Sequence, residues 1–292
     1  MHQSNKVIDL ELSGRHRTQT TPRSWRLSQA LFQLVLLTAS LLLLLLILTP
    51  LVALLLEVSP ARLLTLAQDP ATWSAVRVTA LTSAISTALV LLLGVPVAYA
   101  LSRHQGRGRL LLETVLELPM VLPPVVAGLG LLLAFGRRGL VGSLLLPFGI
   151  QIPFTLGAVV LAQLFVLTPF FVKRAAVLFG GVDRQLETAA MLLGAGPFHT
   201  FFRLTLPLCR RALLAETVMA LAQGIGLFGA VILFAGNLPE RTRTLSLAIY
   251  GAFEQDPEQA FTLAALMLAG CCGLLLVGRL LRRGAGSGGG HE

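Results

Sequence analysis

Arg241 and Arg243 stand on either side of Thr242, in a polar stretch between two long apolar runs. Two like charges that close make a positive mouth, able to concentrate a dianion or to steer a docking acidic surface. The other reading is a pair of solvated charges, offset by Glu240, Glu254, Asp256 and Glu258. The remaining reactive side chains assemble nothing. Cys209, Cys271 and Cys272 form no spaced framework, and the adjacent pair falls inside an apolar run, where cysteine serves as a small core residue. The five histidines are scattered, with no His-x-x-x-His spacing, so no metal site is expected. No Gly-x-x-x-x-Gly-Lys-Ser/Thr loop is present to cradle nucleotide phosphates. An intramembrane enzyme would want paired acids or a Ser/His set inside the apolar runs, and none is there. A non-transporting membrane scaffold is the other distant class.

A second region carries the residues of a compact turn rather than of a reaction. Asp183 is suited to cap a helix, and Asp183, Leu186, Ala190 and Leu193 fall at helical spacing. Gly194 and Gly196-Pro197 then stop the helix and turn the chain. A second short helix is expected from about Phe198, ending before Pro207. The result is a compact helix–turn–helix within a loop of about 40 residues, far longer than most connections in helix bundles.

The elements that hold these two regions are apolar. Hydrophobic residues are 55% of the 292 and charged residues 13%, against about a quarter charged in soluble domains; the mean hydropathy is +0.79. Crossing a bilayer takes about 20 mainly apolar residues as helix. Six runs qualify: 31–56, 75–101, 115–135, 153–172, 212–234 and 261–281. Helix is required in each, because the backbone must satisfy itself inside hydrocarbon, and the runs do not alternate as barrel strands do. The first run follows a polar stretch and exceeds a signal-peptide core, so it reads as a span. The expected fold is therefore an all-α polytopic membrane protein with about six spans. A polar tail (1–26) precedes the membrane domain (27–283), whose long loop covers about 174–211, and a disordered tail (284–292) follows.

Basic residues set the expected orientation. With the N-terminus inside, only Arg62, Arg77, Arg137, Arg138, Arg241 and Arg243 of the 23 lysines and arginines fall outside. Both termini are therefore expected in the cytoplasm. That placement accounts for the net charge of +9 without a nucleic-acid partner. The prolines Pro119, Pro123 and Pro124 interrupt the third run, as suits a gate beside a pore or an ordinary kink. Ala222, Gly226 and Ala230 form a small-xxx-small spacing for close helix approach, or for lining a pore.

The long loop resembles that of the permease subunits of type I ABC importers. Their signature is Glu-Ala-Ala, three residues, Gly, a spacer and a hydrophobic-x-Leu-Pro ending. Aligned on Gly194 and Pro207, it puts Thr188, Ala189 and Ala190 at the first three positions, with Leu204 and Leu206 also matching. Thr188 departs from the usual acid, and Glu187, one step upstream, is a candidate to supply the charge contact instead. The resemblance implies coupling helices that dock into a groove of a cytoplasmic ATPase, with ATP and magnesium on that partner chain and no cofactor on this one. The segments Gly226–Asn237 and Leu238–Tyr250, with Leu118–Pro124 and Phe135–Gly139, are similar to the molybdate branch, close to the sulfate and tungstate branches. That branch carries Gly-Glu-Phe-Gly-Ala, where this chain has Leu227 in place of the acid. The resemblance implies a homodimer, a periplasmic oxyanion-binding protein and a pore near Gly226, Gly229 and Asn237. Molybdate is the expected substrate, with sulfate, thiosulfate or tungstate as the alternatives.

Overall fold

The computed structural model describes residues 23–104 and 106–286. Lys6, Arg15 and Arg17 of the polar tail, and residues 287–292 of the glycine-rich end, lie outside the described residues. Helix accounts for most of the described chain, as the apolar runs require.

The first helix, α1 (Arg23–Leu56), forms a unit of its own. It is long and apolar enough to span a bilayer. Its hydroxyls turn inward on the backbone: Thr38 donates to the carbonyl of Leu34 and Thr49 to that of Leu45. In hydrocarbon that is the cheapest partner a lone hydroxyl can find.

The second unit begins at Glu57. It contains α2 (Pro60–Gln68), α3 (Pro70–Arg103), α4 (Arg107–Val121), α5 (Pro124–Phe135) and α6 (Leu156–Gly180). These are followed by α7 (Arg184–Leu192), α8 (Pro197–Ile225), α9 (Gly229–Ala235), α10 (Leu245–Gln255) and α11 (Pro257–Gly286). The six apolar runs therefore become four unbroken helices, α1, α3, α6 and α11, and two bent pairs. Helices α4 and α5 meet at 112°, and α8 and α9 at 59°. The first bend follows from Pro123 and Pro124, which lack the N–H groups that would continue α4.

Helix α6 is the centre of the second unit. Near its finish, Phe171, Val172, Ala175 and Phe179 pack with Ala98 and Leu101 of α3 and Leu213 of α8. Near its start, Ala158, Val159 and Ala162 pack with Leu131 of α5 and Phe234 of α9. Between these two cores Gln163 is fully buried. Its amide donates to Ser83 Oγ and to the carbonyl of Gly224, and its Oε1 accepts from Ser86. One polar side chain thus ties three spans together.

Several expected boundaries move. Lys173 and Arg174 are not in a loop, because α6 continues to Gly180. Lys173 pairs with Glu117 of α4 at 2.6 Å, and Arg174 with Glu216 of α8 at 2.9 Å. Ala222, Gly226 and Ala230 do not form one face, since the helix ends at Ile225 and the three residues fall on both sides of the break. The stretch 245–255, read as part of a loop, is helix α10.

Candidate functional site

The helical turn at 183–197 is built by local hydrogen bonding. Asp183 accepts from the N–H of Gln185 at 2.9 Å and starts α7. At the other end Gly194 takes φ +88°, a left-handed conformation that suits glycine. The N–H of Ala195 then reaches the carbonyl of Ala190, and that of Gly194 the carbonyl of Met191, both at 3.0 Å. This is a Schellman closure, which satisfies the last carbonyls of α7. Pro197 opens α8 in the first-turn position, where its missing N–H costs nothing.

The second short helix was expected to end before Pro207. Instead α8 runs from Pro197 through Pro207 to Ile225. Residues 201–205 widen into a π turn, in which the Leu206 N–H bonds the carbonyl of Phe201. Pro207 has no N–H to offer the preceding turn, and the wider turn absorbs that loss. The turn is therefore one piece with the fifth span.

The exposed face of this region is apolar. Leu192 is 83% exposed, Leu193 89% and Phe198 80%, on either side of the Gly194 turn. Thr188 and Ala189 are exposed, Ala190 and Leu206 half-buried, and Pro207 exposed. The Thr188 hydroxyl donates to the carbonyl of Arg184 in its own helix. Leu193 was assigned to a helical stripe, and Leu192 and Phe198 were not singled out; only the turn geometry gathers the three into one knob.

Glu187 corrects an expectation. It was a candidate for a charge contact with a partner, yet it is 6% exposed and committed within the chain. Its Oε1 accepts from Arg103 Nη2 at 2.8 Å and from Thr205 Oγ1 at 2.6 Å. Burial beside a cation and a hydroxyl removes it from any docking surface.

The two broken spans meet through their short second halves. A Cβ placed on Gly128 of α5 would lie 2.8 Å from the carbonyl oxygen of Ala230, and one on Gly229 of α9 would lie 2.9 Å from Pro124. Gly229 and Pro124, both read as gate residues, are thus brought together. Pro123 sits at the α4–α5 bend, Pro119 lies within α4, and Gly226 caps α8 at its break. That break is supported from outside the helix. Gln163 donates to the Gly224 carbonyl and the Ser246 hydroxyl to that of Leu227. Neither Gln163 nor Ser246 was singled out in the sequence, because their roles depend on helices far apart in the chain. Leu227, at the position of the missing acid, packs half-buried against the core around Phe234.

Arg241 and Arg243 do not converge. The turn between α9 and α10 winds around the carbonyl of Leu238, which accepts from the N–H groups of Arg241, Thr242 and Arg243. Arg243 points to Asn237, donating from Nε to Oδ1 at 2.9 Å, and Asn237 Nδ2 donates to the Leu247 carbonyl. Arg241 instead lines a cavity of about 720 Å³ with Arg137, Gln151, Phe154 and Glu240. Arg137 donates twice to Gln151 Oε1. Asp256 and Glu258 do not balance these arginines; both pair with Arg62. A two-residue spacing in a tight turn sent the two side chains in different directions.

Residues 90–285 match the family described as binding-protein-dependent transport system inner membrane component. The chain is 43% identical over 201 residues to the molybdenum transport system permease protein of Mycobacterium tuberculosis, spanning 68% of this chain and 75% of that one. It is 41% identical over 179 residues to the molybdenum transport system permease protein of Escherichia coli K12, spanning 61% and 78%. To the sulfate transport system permease protein of Synechococcus elongatus it is 37% identical over 203 residues, spanning 70% and 71%. Among solved structures, a chain of a bacterial alginate ABC transporter, in complex with its alginate pentasaccharide-bound periplasmic protein, superposes with a TM-score of 0.69. That match has 18% identity and covers 89% of this chain and 97% of the other, so the fold is shared.

Proposed function

The chain belongs to the family of binding-protein-dependent transport system inner membrane components, and on that premise we propose that it carries molybdate through the membrane as the permease subunit of an ATP-driven importer. ATP hydrolysis belongs to a separate chain. The observation that supports coupling is the apolar knob of Leu192, Leu193 and Phe198, held out by the Asp183 cap and the Gly194 turn. An exposed apolar helical turn of this kind is what a groove in a partner ATPase would take up. The knob sits beside Thr188, Ala189 and Ala190, the stretch that resembles the coupling signature.

In this reading both termini are cytoplasmic, two copies of the chain enclose the pore, and a periplasmic binding protein delivers the anion. The two broken spans, touching through Gly128, Gly229 and Pro124, are the movable part of the path. Half-helices that pack closely can shift between two arrangements more readily than an unbroken span can. On the outer side, Arg137 and Arg241 replace the Arg241–Arg243 pair as the positive mouth. Molybdate is favoured over sulfate by the higher identity to the molybdenum permeases of Mycobacterium tuberculosis and Escherichia coli than to the sulfate permease.

The test is a reconstituted complex of this chain with its ATPase and its binding protein, assayed for hydrolysis and uptake with molybdate, tungstate and sulfate. Molybdate should stimulate at the lowest concentration. Sulfate acting at a lower concentration would reassign the substrate, and no response to any oxyanion would remove the transport reading.

A further inference from the structure

One carboxylate joins three helices at the end where α3 finishes. Glu187 lies in the first turn of α7. Its Oε1 holds Arg103, the last residue of α3, and Thr205, in the π turn of α8. The side chains of Arg103 and Glu187 are only 12% and 8% exposed. The guanidinium lies 5.5 Å from the centre of the Tyr99 ring, which in turn packs on Phe179 and Phe201. A second arginine reinforces the joint from outside. Arg184 Nη2 donates to the carbonyls of Ser102 and Arg103, the last carbonyls of α3, which have no partner in their own helix.

The connections at either end of α7 are short and carry glycine, Gly181 before it and Gly194 and Gly196 after it, and their hydrogen bonds are local to the turns. A nine-residue helix between glycine-bearing connections would pivot under a force applied to Leu192 and Leu193 unless something fixed it to the spans. The buried joint is what fixes it. A charged pair taken out of water has few alternative geometries, because separating its partners strands a charge in an apolar setting. We infer that Arg103, Glu187 and Thr205 are positioning residues for transport, a rigid joint that carries displacement of the coupling helix into the second and fifth spans. This rests on the transport reading above.

The experiment uses the full complex of the chain, its ATPase and its binding protein in liposomes. The quantity read is anion taken up per ATP hydrolysed, measured on assembled complex isolated by size. Glu187→Gln keeps the size and a hydrogen-bonding group but removes the charge, and should lower that ratio about tenfold. Thr205→Val leaves the ion pair in place and should lower it about threefold, while Thr205→Ser should keep the native ratio. A merely structural role would reduce the amount of assembled complex without moving the ratio. If Glu187→Gln yields no assembled complex, the Thr205 pair decides. Native coupling in both Glu187→Gln and Thr205→Val, or in Thr205→Val alone when Glu187→Gln does not assemble, overturns the joint and leaves the transport reading intact. A wild-type complex without anion uptake overturns the transport reading, and the joint with it.

Discussion

The two ends of the second unit are both tied by an arginine to acids, with opposite consequences. Where α3 finishes, Arg103 and Glu187 meet at 2.8 Å with little access to solvent. Near the start of α3, Arg62 meets Asp256 at 2.6 Å and Glu258 at 3.0 Å, with its own side chain 38% exposed. In sequence the two sets look alike: an arginine and a distant acid. Burial separates them, because water screens the second set and offers each partner an alternative, while the first has none. One end is therefore locked around α7, and the other is held by replaceable contacts.

The largest expected effect tests that lock directly. Arg103→Met leaves the buried Glu187 carboxylate without its cation, keeping the Thr205 hydroxyl, and should cost about 3–5 kcal/mol. Unfolding in detergent would measure it, together with protease sensitivity of the 181–196 segment. Arg62→Met in the same assays should be mild, and equal losses at the two sites would end the contrast. Next in size is Gly194→Ala. Nothing lies within 4 Å of the Cβ it would add, so only the left-handed backbone is penalised, by about 1–2 kcal/mol. Gly194→Asn should cost less, because asparagine tolerates that conformation. Measured stabilities in the reverse order would mean that crowding, not backbone, decides at this turn.

At the opposite end the corresponding cap is Asp69, which accepts from the N–H groups of Ala71 and Thr72 and from the Thr72 hydroxyl. Asp69→Ala should destabilise the start of α3 by about 1 kcal/mol, seen as faster amide exchange over 71–73. The smallest effect is in pH. The Thr72 hydroxyl, outweighing desolvation, holds the Asp69 carboxyl below its ordinary range with the help of two backbone N–H groups. Hydrogen bonding from Arg62 does the same to Asp256. A carboxyl depressed on folding contributes stability above its unfolded value, near 3.9, which is lost as pH falls through the folded value. Amide protection, relative to the intrinsic exchange rate, should therefore fall at 61–72 and 258–260 only below about pH 4. Arg62→Met should reduce the part at 258–260, where the Gln259 N–H still bonds Asp256, and leave the part near Asp69.

The turn chemistry at 183–197 was legible because it is local. Asp183 and Gly194 act on backbone groups two to five residues away, so their types and spacing suffice. The six spans were legible for a similar reason, since each run is apolar enough to declare itself without knowledge of its neighbours. The proline pair at 123–124 marked a break, but its 112° bend depends on what α5 packs against.

What the sequence left open were the fates of side chains whose partners are distant in the chain. Glu187 read as a surface charge because Arg103 lies 84 residues away and nothing local announces their meeting. Gln163 was invisible as the support of a broken span, since Ser83 and Gly224 reach it only once three helices pack. Arg241 and Arg243 looked like one site because sequence distance stands in poorly for direction inside a turn. Composition and local spacing determined that this chain spans a membrane and presents a turned helix outside it. The tertiary structure decided which charges are buried and which two broken helices touch, because burial and contact depend on all the packed elements at once.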